Sequence, residues 1–131
     1  MALEIEVQKK EKGVFVVSLL GSLDSTTYIE LEHELKPILT HSAKALMLNL
    51  AGLSYISSMG VSVILKAKRS IEEHGASFIM TNLQPQIKRV FEIINALPSV
   101  RVFESLQEAD AYLNEIQKRV IEEGSSPLPP P

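Results

Sequence analysis

Polar and apolar positions alternate with period two at the start of the chain. Leu3, Ile5 and Val7 are separated by Glu4, Glu6 and Gln8, the pattern of an edge strand with one face buried and one in water. After a polar turn at residues 10–13, the run VFVVSLL at residues 14–20 is apolar on both faces apart from Ser18. It predicts a more central strand, paired antiparallel with the first and ended by Gly21. The period then lengthens: Tyr28, Leu31, Leu35 and Ile38 share one side of a helix, with Glu30, Glu32, Glu34 and Lys36 facing away. Thr27 with Glu30 reads as a capping box, Asp24 or Ser25 being alternative caps. Pro37 predicts a kink or a stop near Lys36, because it lacks an N–H and clashes with the carbonyl four residues back.

Residues 45–50 form a short apolar run with little alternation, as expected of a parallel strand covered on both faces. After a loop at residues 51–57, Val61, Ile64, Leu65 and Ile71 mark the buried side of a helix, with His74 and Gly75 as its C-cap signal. A strand at residues 77–81 completes a βαβ unit, whose crossover is right-handed and whose ligand-facing edge lies beyond the carboxyl ends of its strands. Pro85 opens the next helix, with the stripe Ile87, Val90, Phe91 and Ile94. Residues 100–103 suggest a last short strand. Ser105 with Glu108 then opens a helix striped by Leu106, Ala109, Leu113, Ile116 and Val120, which is expected to pack on the sheet. The ending GSSPLPPP cannot continue a helix. The expected organisation is one domain over residues 1–121 and a Pro/Ser-rich flexible tail over residues 122–131.

The stretch LMLNLAGLSYISSMG at residues 46–60 draws these elements together: a strand ends in hydroxyl-bearing residues that lead straight into a helix. Ser57 or Ser58 is the cap, its oxygen accepting from a backbone N–H that the first helical turn leaves without a partner. The same end of the helix favours negative charge, so a hydroxyl there suits a phosphate as well as a cap.

Composition narrows the function classes. The 131 residues are 45% apolar and 22% charged, an ordinary globular balance, with a net charge of −3. Lys9, Lys10 and Lys12, Lys66, Lys68 and Arg69, and Lys88 and Arg89 are interleaved with acids, and no aromatic platform accompanies them, so direct nucleic-acid binding is not expected. Cysteine is absent, which rules out disulfides, thiolate metal sites and a thiol nucleophile. There is neither a signal-peptide pattern nor an apolar run of about 18 residues, so no membrane span is expected and a cytoplasmic location is the default. His33, His41 and His74 have no metal-ligand spacing and read as surface residues. No nucleophile elbow or phosphate-cradling glycine loop is present, so the chain is not expected to be an enzyme.

The order of elements and three landmarks resemble the STAS domain family over about residues 4–117. They are GSLD at residues 21–24, LNLAGLSYISSMG at residues 48–60 and TNLQPQIKRVFEI at residues 81–93. The resemblance implies an α/β fold, with a mixed four- to five-stranded sheet and about four helices packed mainly on one side. Within the family it points to the anti-sigma factor antagonists, which are switched by phosphorylation of a serine that falls at Ser58. It implies an anti-sigma factor with serine kinase activity as partner, a serine phosphatase, and no cofactor for this chain, since the kinase supplies ATP; a homodimer is compatible. The partner surface implied is Asp24, Ser57, Ser58, Met59 and Gly60, with Ser57 as alternate acceptor or loop-stabilising donor and Gly60 as the small residue that lets a partner approach. Two positions depart from the family pattern: Ser57 stands where the family has Asp, and Met59 where it has a small residue. The alternative reading is a non-phosphorylated STAS scaffold, a subunit of a stress-signalling complex or of a lipid or anion transporter.

Overall fold

The computed structural model describes residues 2–10, 13–39, 43–100 and 106–122. Its elements follow the sequence pattern in order: β1 (Leu3–Lys9), β2 (Val14–Leu23), α1 (Tyr28–Leu39), β3 (Ala45–Ile56), α2 (Ser58–Glu73), β4 (Ser77–Thr81), α3 (Pro85–Val100) and α4 (Leu106–Glu122). The strands form one mixed sheet in the order β1-β2-β3-β4, with β1 antiparallel to β2 and the other two pairings parallel. The expected edge strand and the expected βαβ unit are both present.

Two strands outrun their hydrophobic patterns. Gly21 does not end β2, which continues to Leu23. Gly21 holds φ +107, and a Cβ there would collide with the carbonyl oxygen of Ala2, so the glycine lets β2 pass through a bend beneath the start of β1. The loop expected at residues 51–57 is mostly strand, because β3 runs to Ile56. Ser18 and Leu20 pair with Asn49 and Gly52, and Gly21 and Ser22 pair with Leu53 and Tyr55. Thus β3 carries an extra residue twice. Each bulge moves the alternation by one place, so the buried set Leu46, Leu48, Leu50 continues as Leu53 and Ile56, and simple period-two reading loses the strand.

The buried side of the sheet packs against the helices through Val17, Leu19, Leu46, Leu48 and Leu50, with Leu31, Leu35, Ile64, Ala67, Ile87 and Val90 supplied by α1, α2 and α3. The opposite face is more open, with Leu20 and Ile79 exposed and Met47 half-buried. β3 is therefore not covered on both faces, as its apolar run had suggested. Pro37 neither stops nor displaces the end of α1, which reaches Leu39. The proline sits in the last turn, so little helix remains beyond it to disturb. Thr27 does not form the expected capping box: its hydroxyl accepts from the Asp24 N–H and donates to the Ser22 carbonyl, both at 2.9 Å, while the Glu30 N–H donates to the Thr27 carbonyl.

The end of α2 behaves as expected. His74 is its C-cap, Gly75 holds φ +78, and the N–H groups of Gly75 and Ala76 donate to the carbonyls of Glu72 and Ile71, which satisfies two of the last open carbonyls of the helix. α3 runs through Pro98 to Val100, so Val100 belongs to a helix instead of the expected strand. Residues 101–103 and 105, His41 and residues 123–131 lie outside the described residues, and with them the rest of that strand, the second capping box and the tail. α4 packs mainly on α3 and α2 instead of lying across the sheet. Of its expected stripe, Ile116 is buried and Val120 half-buried.

Candidate functional site

At the carboxyl edge of the parallel strands, β2 ends at Leu23 and β3 at Ile56, and the two chain exits are tied together. The Ser57 N–H donates to the Leu23 carbonyl at 2.9 Å. Ser57 has the extended backbone of a cap, φ −100 and ψ 177, and its side-chain oxygen accepts from the Gly60 N–H at 3.3 Å. The Val61 N–H closes the first turn on the Ser57 carbonyl at 2.9 Å. The choice left open between two serines is thereby decided: Ser57 caps α2, and Ser58 is its first helical residue. Ser57 is only 4% exposed, which fits a cap better than a phosphate acceptor. Replacing Ser57 by alanine is expected to cost about 1 kcal/mol of stability, as loss of an N-cap commonly does, measurable by urea denaturation.

Ser58 is half-exposed as a residue, but its hydroxyl oxygen is shielded from solvent. Met59 beside it is also half-buried. Gly60 is buried, and a Cβ there would stand 2.7 Å from the Leu23 carbonyl oxygen and 2.9 Å from Cγ1 of Ile56. The close approach that Gly60 permits is therefore that of α2 to β2 within the chain, which corrects the expectation that its smallness makes room for a partner.

Asp24 follows directly on Leu23 and builds the neighbouring turn. Its Oδ1 accepts from the Thr26 N–H at 2.9 Å and from the Thr26 hydroxyl at 2.7 Å, and the Thr27 hydroxyl lies at 3.3 Å. Burial alone would push this carboxyl up, but the bonds from Thr26 and Thr27, helped by the positive N-terminus, hold it below its ordinary value of 3.8. A depressed folded value means that the ionised form favours the fold. That contribution is present above about pH 3.8 and is lost as pH falls through the folded value. Asp24→Asn is expected to remove this part of the acid sensitivity, read as a flatter dependence of melting temperature on pH below 3.8.

Three glutamines that the sequence pattern did not single out complete the site. β4 pairs with β3 only as far as Asn49, so the last seven residues of β3 have no strand on that side. Side-chain amides take its place. Gln84 Nε2 donates to the Ala51 carbonyl at 2.8 Å, and Gln86 Nε2 to the Ser54 carbonyl at 3.1 Å. From α4, Gln117 accepts from the Ile56 N–H at 3.1 Å and donates to the Ile56 carbonyl at 2.8 Å. A primary amide carries both a donor and an acceptor, as a peptide group does, and can stand in for a missing strand. The available signal was a glutamine at 117 spaced four after Leu113 and three before Val120, within an otherwise apolar stripe.

Flanking this edge, a groove of about 750 Å³ runs between α1 and α2, with Leu35, Val63 and Ala67 buried in it and Lys66 and Arg69 exposed beside it. Ile29, near the start of α1, is 53% exposed. Among the described residues no group of three or more His, Asp or Glu side chains is placed to hold a metal, and no helix is long and apolar enough to cross a membrane.

The STAS domain family model matches residues 4–109, and the chain belongs to that family. It is 29% identical over 102 residues to BtrV of Bordetella bronchiseptica, named as an anti-sigma factor antagonist, an alignment covering 78% of this chain and 88% of the relative. It is 28% identical over 93 residues to the anti-sigma-B factor antagonist of Staphylococcus aureus, with 71% and 85% covered. Its fold is similar to that of the phosphorylated form of the Bacillus cell fate determinant SpoIIAA, with TM-score 0.62, 20% identity and coverage of 84% of this chain and 99% of the other.

Proposed function

We infer that the chain is an anti-sigma factor antagonist, a non-enzymatic STAS protein whose unphosphorylated surface around Ser58 docks on an anti-sigma factor and so frees a sigma factor. The observation that carries this reading is the placement of Ser58 at the first position of α2, on the edge where β2 and β3 both end. A hydroxyl there is next to backbone N–H groups that tolerate an anion in cis. The same phosphate is costly for a partner pressed against Met59 and the exposed Ile29, because it adds about −1.5 to −2 charges to a surface that must lose water on docking.

The contact surface consists of Asp24, Ser58 and Met59, extended by Ile29, while Ser57 and Gly60 shape it from beneath. Because the Ser58 oxygen is shielded, phosphoryl transfer requires its side chain to turn outward about χ1, a movement between ordinary staggered positions. The bulkier phosphoserine then cannot return to the shielded position. A kinase that is also the anti-sigma factor, and a serine phosphatase that resets the switch, complete the cycle. One observation favours the scaffold alternative: Ser57, which replaces the family's Asp, is used up as a cap and offers no carboxylate to orient the acceptor.

Intact-mass and peptide-mapping analysis of the protein from its own cells, with and without phosphatase, separates the two. A phosphatase-sensitive adduct on Ser58 is expected. Its absence under every growth condition would leave the scaffold reading.

A further inference from the structure

A residue about sixty places further along the chain reaches the backbone just before Ser58. Ser57 is held by three bonds through its own N–H, carbonyl and hydroxyl, and the residue before it, Ile56, is held on both its N–H and its carbonyl by the side chain of Gln117. Gln117 is 2% exposed, in the last third of α4. The clamp therefore acts on the peptide unit that enters the cap, one residue from Ser57 and two from Ser58.

We propose that Gln117 is a positioning residue for the Ser58 switch, so that the docking of α4 against the end of β3 and the state of Ser58 are coupled; this rests on Ser58 being the switch residue. The chain of cause runs in both directions. The Gly60 N–H reaches the Ser57 oxygen over 3.3 Å, a long bond, and an anionic oxygen on Ser58 is a stronger acceptor than a neutral hydroxyl. A charge on Ser58 draws the Gly60 N–H away from Ser57, loosens the cap and shifts the Ile56 peptide against the Gln117 amide. Conversely, an α4 that loses its hold on Ile56 lets the cap open and turns the shielded Ser58 hydroxyl toward solvent. By linkage the two effects are equal in free energy. The other two glutamine bonds lie further from the cap, at Ala51 and Ser54, and their loss does not act on Ser57 directly.

The test is hydrogen exchange by nuclear magnetic resonance on the full chain. Gln117→Leu removes both bonds and keeps an apolar side chain as far as Cδ. It is expected to speed exchange of the Ser57 and Gly60 amides at least tenfold more than that of Val17 in the sheet centre. Gln84→Leu, which removes a comparable bond at Ala51, is the matched control and is expected to leave Ser57 and Gly60 within about twofold of their original rates. Gln117→Leu speeding all amides equally, or matching the control at Ser57 and Gly60, overturns the proposal. Ser58→Glu gives the reverse reading without touching α4: the Nε2 protons of Gln117 are expected to exchange at least fivefold faster. Unchanged Gln117 exchange in that variant also overturns the coupling. None of these readings uses a kinase, so the coupling stands or falls separately from whether Ser58 is phosphorylated in cells.

Discussion

Ser58→Glu is expected to weaken binding to the anti-sigma factor by about 30- to 1,000-fold, or about 2–4 kcal/mol, without lowering thermal stability. The two halves of this result have different physical origins. In the free protein a carboxylate at the first helical position faces the positive end of α2, an arrangement worth about 0.3–1 kcal/mol in favour of the fold, which offsets the local loosening of the Ser57 cap. In the complex the same carboxylate must shed water against a surface that includes Met59, and a buried charge without a partner is costly. Affinity falls while the melting temperature holds. Ser58→Ala is expected to retain binding and to lose less than about 0.5 kcal/mol of stability, as substitutions away from a cap or core usually do, because Ser57 and not Ser58 is the cap. Calorimetric titration of both variants against the cognate anti-sigma factor that the proposed function requires, with parallel thermal melts, checks the pair. Equal affinity of the glutamate and wild-type forms would sink the release mechanism. A glutamate form with both weaker binding and a lower melting temperature would point to a damaged fold instead of a switch.

Gly60→Ala is expected to destabilise the protein by about 1–3 kcal/mol, the range of overpacked sites, and its sign is the informative part. Gly60 lies in the first turn of a helix, where alanine is normally favoured over glycine by up to about 1 kcal/mol. At an open position the substitution would therefore stabilise. Here the new Cβ would meet the Leu23 carbonyl oxygen at 2.7 Å, Cγ of Leu23 at 2.8 Å and Cγ1 of Ile56 at 2.9 Å. The first of these is backbone, fixed in β2 and already accepting from the Ser57 N–H, so it cannot yield without disturbing the cap. Urea denaturation should show a lower midpoint with unchanged slope. Increased stability would mean that α2 stands further from β2 than described above. Because the strain falls on Leu23 and Ser57, the variant is also expected to bind the anti-sigma factor less well, a structural route to the loss that Ser58→Glu produces by charge.

Much of the fold was legible because burial periodicity is local. Leu3, Ile5 and Val7 mark β1, the stripe of Tyr28, Leu31, Leu35 and Ile38 marks α1, and residues 77–81 mark β4 at its observed bounds. Pro85 and Gly75 hold the punctuating positions that their backbone chemistry requires. The reading failed where one element's conformation depends on another. The loop expected at residues 51–57 is strand because β2 is there to pair with it, and its two bulges break the alternation by which a strand is recognised. Pro37 breaks a helix only when helix continues well beyond it, whereas it stands two residues before the observed end.

The site divides in the same way. By itself the amino-acid sequence determined that a strand-like apolar run leads through two adjacent serines into a helix and that one of the two, Ser57 or Ser58, is the cap. That much follows from spacing along one segment, while the switch position at Ser58 is what the resemblance to the STAS family implies. Only the tertiary structure decided which serine caps, because that choice rests on the extended backbone of Ser57 and its bond to Leu23, a residue on another strand. It also decided that Gly60 faces inward and that Gln84, Gln86 and Gln117 complete the edge of β3. The physical reason is that β4 stops at the level of Asn49 while β3 continues to Ile56. Backbone groups left open by that difference in length must be satisfied from elsewhere, and nothing within either strand specifies which side chains will reach them.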